Sequence, residues 1–400
     1  MTMFSMTGLP KTKTLATPDA ILPGATIGCL GGGQLGRMFA LAARKMGYRV
    51  HTVDPTPDSP TGQVSDREYN VPFTDIATLT EFARGVDVVT YEFENIPVEA
   101  LDALAPRVKL RPGRDVLYTT QNRLREKQFL SGAGFPVAPF RVVQSETELR
   151  SAVAELGCPC VLKTADFGYD GKGQQKITYE TDLTAVWKKH GLYNGVLEAW
   201  VPFAAELSVV VGRGVRRNEY EEHEAVAFPP TVNDHENHIL ATSVAPAPLA
   251  DSILARAQSI GMAIAKELNV IGLIAVEFFL TKRGDLLVNE LAPRPHNSGH
   301  YSFDACVTSQ FEQQLRAVCG LPLGDTRLLS PVLMRNLLGD VWAGGTPDWS
   351  RLLELPGLRL HLYGKSEPRV GRKMGHYCVL ADTLDRAREI DAQAQKILRR

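Results

Sequence analysis

Between residues 25 and 55 the chain reads ATIGCLGGGQLGRMFALAARKMGYRVHTVDP, and few folds accommodate that order of residues. The short run Ile27 to Leu30 breaks into three consecutive glycines; Leu35, Met38, Ala42 and Met46 then recur at helical spacing, and the apolar pattern resumes in YRVHTVD. A strand, a tight turn and a helix that carries the chain back to a second strand make a βαβ unit, so the chain opens as an α/β domain on a parallel sheet. Asp54 follows the glycines by about 20 residues, the place where a dinucleotide enzyme keeps the acid that holds its ribose. Glycines at such a turn admit close approach of any ligand to the backbone, and an NAD-dependent dehydrogenase is only one reading of the stretch.

At 400 residues the chain exceeds what one hydrophobic core usually spans, and the sequence divides accordingly. Residues 1–23, MTMFSMTGLPKTKTLATPDAILP, carry Thr and Pro without the apolar segment of a signal peptide and read as a flexible tail. Residues 24–122 form the Rossmann-like unit. Within it DVVTYEFEN, at 87–95, is a third strand that ends in acids and an asparagine at the edge where open α/β sheets collect ligands, which makes Glu92 and Asn95 candidates. QNRLREKQFLSGAGFPVAPF, at 121–140, reads as a helix stopped by Gly132 and Gly134 and then a proline-bounded linker, and a second unit runs over 123–320. There a helix, ETELRSAVAEL, and the strand CVLK with Lys163 precede the loop GYDGKGQ at 168–174. With CVLK, the strands VLEAWV (196–201) and ELSVVVGR (206–213) are expected to make an antiparallel sheet that a flexible loop can cover. Residues 321–400 remain as a small C-terminal unit rich in strand.

Two strands of the second unit carry acids among apolar neighbours. LIAVEFFL places Glu277 and DLLVNELAPR places Glu290, and burying two carboxylates at strand ends is costly unless a cation compensates. Mg²⁺ suits hard oxygen ligands on neighbouring strands whose shell substrate phosphates complete. The next segment, APRPHNSGHYSFDAC, puts Arg294, His296, Asn297 and His300 within seven positions, a donor cluster that suits an oxyanion. Zinc on the two histidines would lack a cysteine or third histidine at ligand spacing and would face Arg294. RLHLYGKSEPRVGRKMGHYCVL, at 359–380, is the most basic stretch; its turn residues hold Lys365, Arg372 and Lys373 apart, in a form that could clasp a phosphate monoester or simply make a solvated hairpin.

The whole-chain balance of 44 Lys+Arg against 45 Asp+Glu draws the protein to neither nucleic acid nor an anionic membrane. Its longest apolar stretch, VIGLIAVEFFL, is interrupted by Glu277 and falls short of the roughly 20 residues a membrane helix needs. The cysteines Cys29, Cys158, Cys160, Cys306, Cys319 and Cys378 contain no C-x-x-C pair, fit neither a disulfide framework nor a zinc site, and point to the reducing cytoplasm.

In order, the chain presents a glycine-turn α/β domain, a lysine strand, a Gly-Lys loop, paired carboxylates, an Arg/His/Asn pocket and a basic C-terminal segment. Those are the parts of an ATP-dependent ligase that phosphorylates an acid and joins it to an amine. From about residue 25 onward the signatures GGGQLGRM, YEFENIP, GYDGKGQ, NELAPRPHNSGH and SQFEQQLRA resemble, in order and spacing, those of the N5-carboxyaminoimidazole ribonucleotide synthase family of ATP-grasp enzymes.

The resemblance implies a multidomain α/β and α+β architecture: an ATP-grasp fold with an N-terminal Rossmann-like preATP-grasp domain and a small β-rich C-terminal domain. It implies ATP contacts from Arg123 and Lys163, from Gly168, Tyr169, Asp170, Gly171, Lys172, Gly173 and Gln174 of the loop, from Glu198, Ala199, Trp200 and Val201, and from Glu206, His235, Asn289 and Glu290. Mg²⁺ would sit on Glu277 and Glu290. The acceptor, 5-aminoimidazole ribonucleotide, would meet Gln34, Leu35, Glu92, Tyr169 and Asp170, with its phosphate on Lys365 and Arg372. Bicarbonate would lie by Arg294, His296 and Asn297, which with Asp170 and Lys172 form the implied catalytic set. Lys172 stands where some relatives carry arginine, a point charge in place of a bidentate fork. The implied reaction is carboxylation of the ribonucleotide's exocyclic amine through carboxyphosphate, in purine biosynthesis, by a cytoplasmic homodimer. A formate-dependent glycinamide ribonucleotide transformylase, or another ATP-grasp carboxylate-amine ligase, is the alternative.

Overall fold

A computed structural model describes residues 20–166, 173–190, 194–217 and 223–399. Most of the expected 1–23 tail lies outside the described residues, as do Gly168, Tyr169, Asp170, Gly171 and Lys172 of the loop.

The glycine-punctuated opening folds as its pattern predicts. β1 (Thr26–Leu30) and β2 (Arg49–Val53) lie parallel with Ile27 opposite Val50, joined by the helix Gln34–Lys45. That helix buries Leu35, Met38, Phe39 and Ala42, and the chain leaves it through Gly47 at φ +83°, a left-handed conformation that glycine adopts freely. β3 (Arg67–Tyr69), β4 (Val88–Tyr91) and β5 (Lys109–Leu110) complete a parallel sheet in the order β3-β2-β1-β4-β5. The order reverses between β1 and β4, and the segments that follow those two strands, starting at Gly31 and Glu92, meet at the switch point where such sheets bind ligands. On one face Met38, Phe39 and Val50 share a core with Phe311, Leu315 and Val318 of the helix Gln310–Cys319, so the helix of the SQFEQQLRA signature packs the first unit against the second.

A four-stranded antiparallel sheet follows, made of β6 (Phe140–Val143), β7 (Cys160–Thr164), β8 (Gln174–Ile177) and β9 (Gly195–Ala199) in the order β6-β9-β7-β8. Leu149 and Ala152 of the helix Glu146–Leu156 pack on it together with Val186 of the helix Leu183–His190. Ser145 caps the first of these helices by accepting from the Glu148 amide.

The remaining strands form one large sheet: β10 (Phe203–Arg217), β11 (His223–Ala227), β12 (Thr231–Glu236), β13 (Ile239–Ala245), β14 (Gly272–Thr281), β15 (Leu286–Ala292), β16 (Val332–Leu338), β17 (Leu358–Leu362) and β18 (Lys373–Leu380). Its order is β15-β14-β10-β12-β13-β16-β18-β17, with β11 paired to β10. The expected antiparallel sheet forms in part: CVLK and VLEAWV pair as β7 and β9, but ELSVVVGR does not join them. VLEAWV and ELSVVVGR are consecutive in sequence but enter different sheets, β9 beside β6 and β7 and β10 beside β12 and β14. The Ala199–Phe203 link thus bridges the two sheets, and the space between them is open to ligand. The C-terminal strands β16 to β18 extend the edge of the large sheet at β13. Among the described residues no helix is long and apolar enough to cross a membrane. All six cysteines are free.

Candidate active site

The three glycines do not form an anion cradle. The Gly32 amide donates to Asp54 Oδ2 at 2.7 Å, and the Gly33 and Gly36 amides donate to Glu92 Oε1 and Oε2 at 2.8 and 3.3 Å. Two side-chain carboxylates thus take the place that a pyrophosphate holds in a dinucleotide enzyme. A Cβ on Gly32 would lie 2.4 Å from Ser59 Oγ, so glycine is needed there for packing of the chain on itself. Asp54, the residue that suggested a ribose contact, is spent on the turn. Burial pushes the Glu92 carboxyl up while the two amides pull it back down; Glu92 clamps the turn and does not line the cavity beside it.

That cavity, about 650 Å³, lies between the four-stranded and the large sheet and reaches the switch point of the parallel one. On one side Lys163, from β7, sits 3.0 Å from Glu198 Oε2 on β9. Lys127, from the helix Arg123–Gly132, approaches Glu198 Oε1 at 3.6 Å and donates to the Asn289 carbonyl at 3.0 Å. Burial alone would raise the Glu198 carboxyl, but Lys163 and then Lys127 overcome it and hold the group below its ordinary value. The ammonium of Lys127 is pushed down by the same burial. Next to it Glu126 accepts from the Leu291 amide at 3.0 Å and is pushed up to about 8, chiefly by burial.

Glu126 and Lys127 were not identified from sequence. The available signal was their place four and three positions before the buried Leu130, a charged pair on the inward face of a helix. Arg123, Ala199, Trp200, Val201, Glu206, His235 and Asn289 all line the same space. His235 Nδ1 is 2.8 Å from Glu206 Oε2. Phe203 and Phe279, also not foreseen, stack at 4.8 Å with an interplanar angle of 7° and give the cavity an apolar wall. Gln174 reaches it too, and Gly173 takes φ +71° against Thr164 Oγ1.

The two carboxylates meet in the middle. Glu277 and Glu290 are direct cross-strand partners in β14 and β15, within the strands and not at their ends as expected. Glu290 is exposed to the cavity, and Glu277 is the more covered of the two, its carboxyl pushed well up by burial, then by Glu290 and Glu206. Two hard carboxylates on adjacent strands, with no third protein carboxylate or imidazole completing a cage among the described residues, fit Mg²⁺, which keeps water and phosphate oxygens in its shell.

Beyond them Arg294 Nε lies 3.0 Å from Glu94 Oε1, and His296 Nε2 lies 3.2 Å from Glu277 Oε1. Burial and the neighbouring Arg294 hold the His296 ring well below its ordinary pKa, so it is a neutral imidazole. Asn297 is 9% exposed, lines the cavity, and has neither amide atom hydrogen-bonded. A buried polar group left unpaired in this way is a ready contact for a polar ligand. His300, grouped with these donors by sequence, turns away after the short 3₁₀ turn Asn297–Gly299 and is buried against His376 at a ring distance of 4.7 Å; burial lowers it to about 3.

At the far end Gln34 and Leu35 line the cavity, and Lys365 Nζ donates to Gln34 Oε1 at 2.7 Å and to the Lys373 carbonyl at 2.8 Å. Burial, then Arg372, lowers Lys365 to about 8. Arg372 donates to the Glu367 carbonyl at 2.8 Å and does not line the cavity, whereas Lys373 does.

Fold and site together define an ATP-grasp protein. Residues 24–121 match the ribonucleotide synthetase preATP-grasp domain, 128–311 the ATP-grasp domain, and 332–390 the phosphoribosylaminoimidazole carboxylase C-terminal domain. The chain is 49% identical over 358 residues to the N5-carboxyaminoimidazole ribonucleotide synthase of Bacillus subtilis (strain 168), covering 89% of this chain and 91% of that protein. It is 41% identical over 359 residues to the synthase of Brucella melitensis, covering 89% and 96%. A solved ADP complex of an N5-carboxyaminoimidazole ribonucleotide synthetase superposes with a TM-score of 0.89 at 45% identity, covering 95% of this chain and 98% of the other. An Aspergillus clavatus synthase in complex with ADP and 5-aminoimidazole ribonucleotide gives 0.84 at 29% identity, covering 94% and 98%. The chain belongs to the N5-carboxyaminoimidazole ribonucleotide synthase family.

Proposed function

We propose that the protein carboxylates the exocyclic amine of 5-aminoimidazole ribonucleotide at the expense of ATP and bicarbonate, giving N5-carboxyaminoimidazole ribonucleotide, ADP and phosphate in purine biosynthesis. The observation that carries this reading is that one cavity joins the Lys163–Glu198 pair, the facing carboxylates Glu277 and Glu290, and the unpaired amide of Asn297 beside His296 and Arg294.

ATP lies with its base against the Phe203–Phe279 wall and the Ala199–Val201 link, and its phosphates toward Lys163, Arg123 and the 168–174 loop. Glu277 and Glu290 would hold Mg²⁺, which would supply charge neutralisation for the phosphoryl transfer. Arg294, neutral His296 and Asn297 hold bicarbonate so that one of its oxygens attacks the γ-phosphorus in line, the bond to ADP breaks, and carboxyphosphate forms. The ribonucleotide, by Gln34 and Leu35 with its phosphate at Lys365 and Arg372, brings its amine to the carboxyl carbon. The C–N bond forms, phosphate leaves with the bridging oxygen, and the amine gives up a proton, a role assigned to Asp170 on the family resemblance. The family resemblance assigns Lys172 and the other residues of GYDGKGQ to the intermediate, which has to be kept from water. The same reading retains domains over 24–122, 123–320 and 321–400, a cytoplasmic location, for which the six free cysteines speak, and a homodimer.

Steady-state ADP release tests it. Turnover should require Mg²⁺ and bicarbonate and rise strongly with 5-aminoimidazole ribonucleotide, which traps the activated acid. Formate should not replace bicarbonate; robust formate-dependent turnover with glycinamide ribonucleotide would overturn the assignment.

A further inference from the structure

The helix Gln310–Cys319 carries three glutamines that are at most 1% exposed, Gln310, Gln313 and Gln314. Three buried primary amides on one helix need partners, and each has found backbone. Gln314 accepts from the Leu273 amide at 2.6 Å and donates to Thr90 Oγ1 of the parallel sheet at 2.7 Å. Gln313 accepts from the Gly324 amide at 2.8 Å and donates to its carbonyl at 3.2 Å. Gln310 does the same to His296, accepting from its amide at 2.9 Å and donating to its carbonyl at 2.8 Å.

We infer that Gln310 is a positioning residue for the bicarbonate site: by fixing both main-chain polar groups of His296 it sets where the His296 ring and the Asn297 amide project. It lies outside the cavity lining, so it acts through His296 and not on substrate. The turn is held tightly against it, since a Cβ on Gly299 would lie 2.5 Å from Gln310 Oε1. From the other side Ser302 Oγ accepts from the main-chain N–H of Gln310 at 2.9 Å and donates to the Gly299 carbonyl at 2.6 Å. Rigid support matters at this place because the unpaired Asn297 amide has no protein partner of its own to orient it. The inference rests on the proposed placement of bicarbonate at His296 and Asn297.

Gln310→Glu keeps the size and the acceptor but puts an oxygen where the His296 carbonyl needs a donor. Its KM for bicarbonate should rise about tenfold or more, the worth of one buried hydrogen bond, with the KM for ATP nearly unchanged. Gln313→Glu, the same change in the same helix against Gly324, should lower Tm comparably and leave the bicarbonate KM alone. Gly299→Ala, which crowds the Gln310 amide while keeping every side chain of the site, should reproduce the Gln310→Glu split and keeps the test readable if that variant does not fold. Equal shifts in the Gln310 and Gln313 variants, or an unmoved bicarbonate KM in a folded Gln310→Glu or Gly299→Ala protein, overturn the inference. Asn297→Ala is measured alongside: an unmoved bicarbonate KM there overturns the site assignment itself, whereas a shift there with none in Gln310→Glu overturns only the positioning role.

Discussion

Glu290→Gln should leave the protein folded and lower kcat at saturating ATP by about a hundred- to a thousandfold, since a metal that stabilises phosphoryl transfer by several kcal/mol acts at roughly tenfold per 1.4 kcal/mol. The substitution preserves shape and removes one of the two charges that a hard cation needs at the facing pair of β14 and β15. The apparent Mg²⁺ requirement should move to higher concentration. In EDTA the variant should melt no lower than the parent, because Glu290 is among the groups whose charge opposes ionisation of Glu277. Steady-state kinetics over a Mg²⁺ series and a thermal melt check both parts. Normal turnover at ordinary Mg²⁺ would make Glu290 a bystander on the cavity wall.

Lys365→Ala should raise the KM for 5-aminoimidazole ribonucleotide by roughly ten- to a hundredfold, a charge-assisted contact to phosphate being worth about 1.5 to 3 kcal/mol, while the KM for ATP moves little. The pH dependence gives a second signature. Burial lowers the Lys365 ammonium to about 8, so in the free protein the charge is present below that pH and is lost as pH rises through it. Ribonucleotide affinity should therefore be full below pH 8 and fall above it, and the alanine variant should lack that fall. The variant should also be the less salt-sensitive of the two proteins, because a screened ionic contact has been removed. Kinetics with both substrates over pH 7 to 9 and a salt series decide the matter. Equal losses for ATP and ribonucleotide, or none for either, would mean that Lys365 serves only its contacts to Gln34 and the Lys373 carbonyl and not the phosphate.

The parts of the fold legible in the sequence are those that local pattern dictates. The βαβ opening was readable because its glycines and helical spacing leave little choice, and Glu277 and Glu290 because a carboxylate inside a β-branched run is costly without a purpose. What the glycine turn binds was not readable, since only the folded chain shows Asp54 and Glu92 turned back onto its amides. That ELSVVVGR leaves the sheet of CVLK and VLEAWV was hidden for the same reason: which strands pair is a long-range choice that adjacency in sequence does not make.

Lys127 and Gln310 were missed because buried polar side chains are rare and read as surface residues until their partners, 162 residues away at Asn289 and 14 away at His296, are in view.

The central claim is that ATP activates bicarbonate itself, and isotope transfer tests it most directly. With ¹⁸O-labelled bicarbonate, 5-aminoimidazole ribonucleotide, ATP and Mg²⁺, the phosphate released should carry one oxygen from bicarbonate, the bridging atom of carboxyphosphate. Phosphate that draws its fourth oxygen from water, at the same rate of ADP release, would show that ATP is hydrolysed without passing through bicarbonate and would contradict the account.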